Sequence, residues 1–268
     1  MLRLSALYRY PLKSGKGEIL QQVGLDKLGL DGDRRWMLVD EASGRFLTQR
    51  AVAQMSQLSA LCNAEGGLTL SAPGHSPIDV DLPASDAQLR GVTIWRDSLR
   101  VPDAGDAAAA WVSRFIGKPT RLVQVPLDRA RTTASGYGQD DDQVAFADGF
   151  PLLLIGQASL ADLSQRVGRP LEMLRFRPNL VIEGSEAFAE DGWKRLRIGD
   201  VEFRVVKPCS RCIMTTIDPQ TGERSADREP FATLQKYRAQ AEGAMFGQNL
   251  VNDGNGRLVV GMPVTVLE

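Results

Sequence analysis

Residues 201–223 read VEFRVVKPCSRCIMTTIDPQTGE. The first half, with Val201, Phe203 and Val205 alternating against Glu202, Arg204 and Val206, has the period-two pattern of a half-buried strand. The second half carries the turn residues Asp218-Pro219-Gln220-Thr221-Gly222. Two of the chain's three cysteines, Cys209 and Cys212, thus fall where a strand gives way to a loop, a place where function concentrates. Arg211 stands directly before the second cysteine, and a neighbouring cation favours the thiolate that binds soft metals. By spacing alone several readings stay open. The pair fits two buried cysteines at a strand end, a dithiol redox couple lacking the usual βαβ flanks, or part of a structural zinc site. For zinc, Cys62, His75, Cys209 and Cys212 are the one thiol–imidazole set that the chain offers.

Outward from this segment the chain is rich in short strands. LLLIG (152–156) is a buried-strand run, NLVIEG (179–184) another, and GQNLVND (247–253) and GRLVVGMPVTVL (256–267) follow in kind. In the first hundred residues RRWMLVDEASGRFLTQ (34–49) reads as a hairpin turning at Glu41–Gly44, and Ile78, Val80 and Leu82 alternate strictly. Helices are few. AAAAWVSRFIG (107–117) places Trp111, Val112, Phe115 and Ile116 on one stripe and stops at Gly117. In QASLADLSQRVG (157–168), Ser159 and Asp162 have the spacing of a capping box, with Leu160, Leu163 and Val167 facing inward. REPFATLQKYRAQ (228–240) predicts a third helix. DRARTTASGYGQDDDQ (128–143) reads as a mobile surface loop. The predicted class is α+β, mainly antiparallel β, with barrel-like bending of the sheets and a few peripheral helices.

Composition narrows the function. The 268 residues carry a formal net charge of −1, so no strongly basic surface points to nucleic acid. No apolar run approaches the ~20 residues of a membrane span, and the N-terminus lacks the apolar core of a signal peptide. An odd cysteine count in a long chain points to a reducing compartment, hence a cytoplasmic location. The single histidine, His75, lies between Pro73 and Pro77, a poor setting for a triad or a multi-histidine metal site. Neither a P-loop nor a dinucleotide fingerprint is present.

Four further stretches carry candidate binding groups. In RYPLKSGKG (9–17), Lys13, Ser14 and Lys16 flank glycines that leave backbone open to an anion, or form a solvated turn. In LDGDRRWML (30–38), Arg34 and Arg35 enter a strand, where alternation lets at most one of them face a shared pocket. RFRPNLVIEG (175–184) pairs Arg177, suited to bidentate phosphate binding, with the amide of Asn179. Gln248 sits between a glycine and a strand.

YPLKS, GDRRW, FRPN, CSRCIMTTIDPQTGE, EPFATLQKYR and FGQN occur in one order along the chain. In this the sequence resembles the MOSC-domain proteins (molybdenum cofactor sulfurase C-terminal type), in particular the amidoxime-reducing branch and its bacterial relatives. The resemblance covers nearly the whole chain. It implies an N-terminal MOSC-associated β-barrel domain over residues 1–118 and a MOSC domain over 119–268. It also implies molybdenum held by one pyranopterin dithiolene (molybdopterin), with Cys212 as the protein's sulfur ligand and catalytic group and Cys209 as a neighbour. Cofactor contacts are implied for Lys13, Ser14, Arg34, Arg177, Asn179, Ser210 and Arg211. Gly149 and Phe150 stand where animal members have a Thr-Ser pair, so contact there would run through backbone. The expected activity is reduction of a small N-hydroxylated substrate (an amidoxime, a hydroxylamine or an N-hydroxylated base). Electrons would come from a separate ferredoxin- or cytochrome-type protein, because three cysteines cannot ligate an iron–sulfur cluster here. The rival expectation is a sulfur carrier or cofactor-handling protein using the Cys212 persulfide or thiolate.

Overall fold

A computed structural model describes residues 1–133 and 136–268. Its centre is a nine-stranded sheet. In spatial order the path runs Glu18–Leu20, Arg3–Arg9, Leu180–Glu183, Leu152–Gly156, Gly243–Asp253, Val201–Arg211, Arg195–Ile198 and Val264–Val266, and Ala239–Gln240 pairs with Gly243–Asp253 off this path. Leu152–Gly156 and Leu180–Glu183 are parallel, as the helix Gln157–Val167 between them requires; the other pairs are antiparallel. The five apolar residues of Leu152–Gly156 are all buried, which is what a central strand covered on both faces demands. Leu4, Leu7, Leu154, Leu180, Phe203 and Leu250 meet in the core on one side, and Ile155, Leu163, Phe176 and Phe246 on the other.

Smaller sheets complete the molecule. Ser59–Cys62, Leu68–Ala72 and His75–Val80 form a meander packed by the helix Asp106–Ile116, whose Trp111, Val112, Phe115 and Ile116 are buried as their spacing predicts. That helix ends on Gly117 at φ 82°, a left-handed cap that suits glycine. Trp36–Asp40 pairs with Thr120–Gln124, and Gly256–Val259 pairs with Gln22–Asp26. Hydrogen bonding therefore crosses residue 118 at several places. The class is α+β and mainly antiparallel, as expected.

Three local expectations are corrected. The third residue of the alternating set, Leu82, lies beyond the strand His75–Val80 and is 45% exposed. Ser159 does not cap its helix: Gly156 is the N-cap, and the Ser159 hydroxyl instead donates to the fully buried Glu190 carboxylate at 2.7 Å. The segment 128–143 is anchored at both ends. Arg131–Thr132 pairs with Gln143–Val144, Arg131 binds Asp97 at 2.7 Å, and Arg204 grips Asp142 with two bonds of 2.9 and 2.6 Å. The middle of the expected loop, residues 134–135, lies outside the described residues.

Candidate cofactor-binding cleft

The strand Val201–Arg211 is irregular where it matters. Its register against Gly243–Asp253 shifts between Val205 and Lys207 and again between Pro208 and Ser210. Such bulges re-aim side chains at strand ends. Cys209 lies within the second shift and Cys212 just beyond the strand, both partly exposed and both lining a cleft of about 260 Å³. Lys13 and Ser14 reach this cleft from the turn after Arg3–Arg9, Arg34 from the approach to Trp36–Asp40, and Gly149 and Phe150 from the approach to Leu152–Gly156. Arg177 and Asn179 come from the entry to Leu180–Glu183, and Ser210 and Arg211 from the cysteine strand. The structure thus brings every residue singled out through the resemblance to one cleft, although they are spread over some 200 positions.

Backbone conformation does much of this gathering. Ser14, Arg34 and Arg177 lie in the left-handed region, at φ 61°, 48° and 55°. Each costs roughly 1–2 kcal/mol for a residue with a Cβ. Strain of this kind persists where surrounding structure enforces it, and it collects at functional sites. Here Lys13 N–H binds the Trp36 carbonyl at 2.8 Å, Arg34 N–H binds the Tyr10 carbonyl at 2.8 Å, and Gln49 donates to the Ser14 carbonyl at 2.9 Å.

The side chains are equally fixed. Lys13 is 6% exposed and donates to the Phe146 carbonyl (2.7 Å) and Asp148 (2.5 Å); burial pulls its pKa below the ordinary value, against the Asp148 charge. Arg34 Nη1 binds Asp33 at 2.6 Å and Asn179 Oδ1 at 3.0 Å, and its Nη2 binds the Arg177 carbonyl at 3.1 Å. Burial disfavours the Arg34 charge, but Asp33 outweighs that and raises its pKa. Arg177 donates to the Gly15 carbonyl at 2.6 Å, and both Arg34 and Arg177 lie against the Tyr10 ring, 4.5 and 4.2 Å from its centroid. Burial, with Arg34 beside it, lowers the Arg177 guanidinium to about 10. Asn179 is fully buried: its Oδ1 also accepts from Leu153 N–H (3.2 Å) and its Nδ2 donates to the Tyr8 carbonyl (3.2 Å). It holds Arg34 directly, and Arg34 in turn binds the Arg177 carbonyl.

Other expectations shift. Arg211 turns its Nη1 to Cys209 at 3.0 Å, two residues back on the same side of the strand, and its Nη2 to the Phe176 carbonyl at 2.6 Å. The cation beside Cys212 is Arg50, whose Nη2 lies 3.5 Å from the sulfur. Arg35 turns away to Asp26 at 2.6 Å, so one of the arginine pair faces the cleft. Gln248 is buried and donates to Asp191 at 2.7 Å. The four-ligand zinc set does not assemble. His75 packs against Trp111 and Phe115, a Cβ added at Gly32 would fall 2.7 Å from the Cys62 sulfur, and burial pushes the Cys62 thiol up. Among the described residues no group of three potential ligands gathers around a point. The sequence reading missed Arg50, Trp95, Asp148 and Arg175 as wall residues. Trp95 stands in a tight hairpin turn, but no motif in the sequence marked any of the four.

Charge is the cleft's dominant property. Lys13, Arg34, Arg50, Arg175, Arg177 and Arg211 line it, with Asp148 as the one acid among the described lining residues. Asp148, Asp33 and Asp218 pair with Lys13, Arg34 and Arg175. Arg50, Arg177 and Arg211 have no carboxylate partner among the described residues. Arg177 Nη2, Arg175 Nη1 and Arg211 Nε are buried donors without an acceptor. Thiols and unmatched guanidinium donors lining one cleft describe a receptor for an anion that also presents a thiophilic centre.

The chain belongs to the MOSC family: residues 1–119 match the MOSC N-terminal beta barrel domain and residues 141–265 the MOSC domain. The human mitochondrial amidoxime-reducing component 1 is 35% identical to this chain over 98% of the chain and 82% of its own length. Its Danio rerio counterpart is 33% identical over 97% and 83%. The molybdenum cofactor sulfurase of Oryza sativa subsp. japonica is 31% identical over 92% of the chain, which spans 32% of that longer protein. No helix among the described residues is long and apolar enough to cross a membrane.

Proposed function

We propose that the protein binds a molybdenum cofactor of the single-pyranopterin type and reduces N-hydroxylated compounds with electrons delivered by a separate ferredoxin- or cytochrome-type protein. The observation that carries this reading is the meeting of Cys212 with three carboxylate-free guanidinium groups in one cleft. The donor set fits the group. A thiolate suits molybdenum, and buried guanidinium N–H groups lacking acceptors suit a pterin phosphate.

In this reading Cys212 is the metal ligand, and Lys13, Ser14, Arg34 and Arg177 receive the anionic end of the cofactor. Asn179 fixes Arg34, while Ser210, Arg211 and the backbone at Gly149 and Phe150 close the walls. Ser210 donates to the Glu242 carbonyl at 2.9 Å, which holds the cysteine turn against its neighbour. When bound, the cofactor supplies a two-electron centre able to accept an oxygen atom. The chain's own contribution is to orient it, to neutralise its charge with fixed donors, and to keep Cys212 partly exposed on the wall of the cleft. The residues Cys62 and Cys209 have no place in this scheme as ligands.

The match to the sulfurase favours a second reading, in which Cys212 carries sulfur or holds the cofactor for delivery. Elemental analysis of protein from a molybdenum-replete host separates the two, with Cys212→Ala and Cys209→Ala alongside. Near-stoichiometric molybdenum, lost in Cys212→Ala alone, together with amidoxime turnover under a chemical reductant, supports the reductase. Substoichiometric metal with a Cys212 persulfide detected by mass spectrometry refutes it.

A further inference from the structure

We propose that Trp95 and Arg50 form the substrate-recognition element at the mouth of the cleft, selecting flat, conjugated N-hydroxylated compounds that are neutral or anionic. The inference rests on the reductase reading above and deepens it. Trp95 occupies the first position of the two-residue turn between Leu89–Ile94 and Asp97–Pro102, closed by the Ile94–Asp97 pair. Its φ is 55°, a conformation that such turns ordinarily give to Asn or Gly. Trp95 is nonetheless 39% exposed, more than a residue packed only for a core would be. Its orientation is set by an edge-on contact with Phe46, centroids 4.9 Å apart. A strained, exposed and oriented aromatic side chain is the signature of a contact surface.

The indole stands between two hollows. It lines the cleft that holds Cys212, and it lines an open groove bordered by Ser98, Arg131 and Thr133. Trp95, Asp148 and Gly149 are walls common to both, so the two hollows adjoin at this residue. Arg50 joins the two points. Its guanidinium carbon lies 5.0 Å from the Trp95 ring centroid and its Nη2 lies 3.5 Å from Cys212 Sγ. Arg50 alone among the cleft's described cations is classed as exposed, and Arg224 donates to its carbonyl to hold the backbone. Guanidinium and indole together offer a flat surface with spare N–H donors for an N–O oxygen. The same positive charge repels a cationic substrate. A compound as small as hydroxylamine reaches the sulfur without using this surface.

Calorimetric titration of the full chain with benzohydroxamic acid and with benzamidinium, a cation of like shape, tests the proposal without cofactor. The neutral probe should bind about tenfold more tightly than the cation. Trp95→Leu should weaken it by about tenfold while Trp95→Phe retains most of the affinity. Arg50→Gln should erase the preference between the probes. With loaded enzyme, Trp95→Leu should raise KM for benzamidoxime at nearly constant kcat, and by a much larger factor than it raises KM for hydroxylamine. Equal binding of the two probes overturns the proposal, as does an equal loss for flat and small substrates in a Trp95→Leu protein whose melting temperature is unaltered. If the wild type takes up no molybdenum, the reductase reading fails by itself, and the probe titrations still decide the role of the rim.

Discussion

Replacing Asn179 by alanine would test whether Arg34 is held in the cleft by the buried amide. The side chain makes three bonds in a fully buried setting: from Arg34 Nη1, from Leu153 N–H and to the Tyr8 carbonyl. Alanine removes all three bonds; Arg34 Nη1 keeps Asp33, while the Leu153 N–H and the Tyr8 carbonyl lose this partner in a fully buried setting. An orphaned buried neutral group costs about 1–3 kcal/mol, and the Arg34 bond is charge-assisted, so a total near 3–4 kcal/mol is expected. For a chain of this length that corresponds to a fall of roughly 7–14 °C in melting temperature. Differential scanning calorimetry and urea titration of the cofactor-free protein would both read it. Asn179→Asp keeps the acceptor facing Leu153 and Arg34 and loses the donor to Tyr8, so it should fall between wild type and alanine. A loss under 1 kcal/mol in Asn179→Ala would refute the reasoning, because Arg34 would then be held by something other than this amide.

Three other perturbations follow from the same contacts. Phosphate at tenfold its Kd should stabilise the cofactor-free protein by about 1.4 kcal/mol, and Arg177→Met should remove most of that increment in thermal melts at fixed ionic strength. Burial alone would raise the Asp142 pKa, but Arg204 and the Gln139 N–H bring it below the ordinary value. A carboxyl depressed on folding contributes stability that is full above its unfolded pKa of about 3.9 and lost as pH falls through the lower folded value. Stability measured from pH 5 down to pH 3 should therefore fall less steeply in Asp142→Asn than in wild type. Finally, Ser159→Ala and Glu190→Gln should each cost about 2 kcal/mol, with a coupling above ~1 kcal/mol in the double-mutant cycle. Additive losses would restore Ser159 to a helix-capping role.

The apolar strand at 152–156 and the helical stripe at 107–116 were legible because burial on both faces and a 3.6-residue period leave direct marks in composition. Ser159 misled for a physical reason. Its spacing to Asp162 is that of a capping box, yet its partner is Glu190, which arrives from a turn 31 residues away that no local pattern announces. Arg211 misled similarly, since adjacency in sequence to Cys212 places it on the opposite side of an extended chain, toward Cys209. The cleft residues were recognised by motif, whereas the left-handed backbone at Ser14, Arg34 and Arg177 was not legible at all. Nothing in a lone arginine or serine codes for positive φ; the surrounding hydrogen bonds impose it.

The treatment of charge elsewhere in the molecule gives the strongest argument that the cleft is a receptor and not a structural ion network. Arg121 meets Asp103 and Asp106, and Arg204 meets Asp142 and Asp253, so these two structural arginines are each matched by carboxylates. Folding alone would favour the same arrangement around Arg177, whose charge burial already disfavours. Instead the chain surrounds Arg177 with the Gly15 carbonyl and the Tyr10 ring, partners that orient a guanidinium without cancelling its charge. Arg211 is held likewise by the Phe176 carbonyl. Orientation without neutralisation is unfavourable for an empty fold and favourable for one that receives an anion. In the proposed reading the missing negative charge comes from the ligand, and Cys212, on the wall of the same cleft, would hold that ligand's metal.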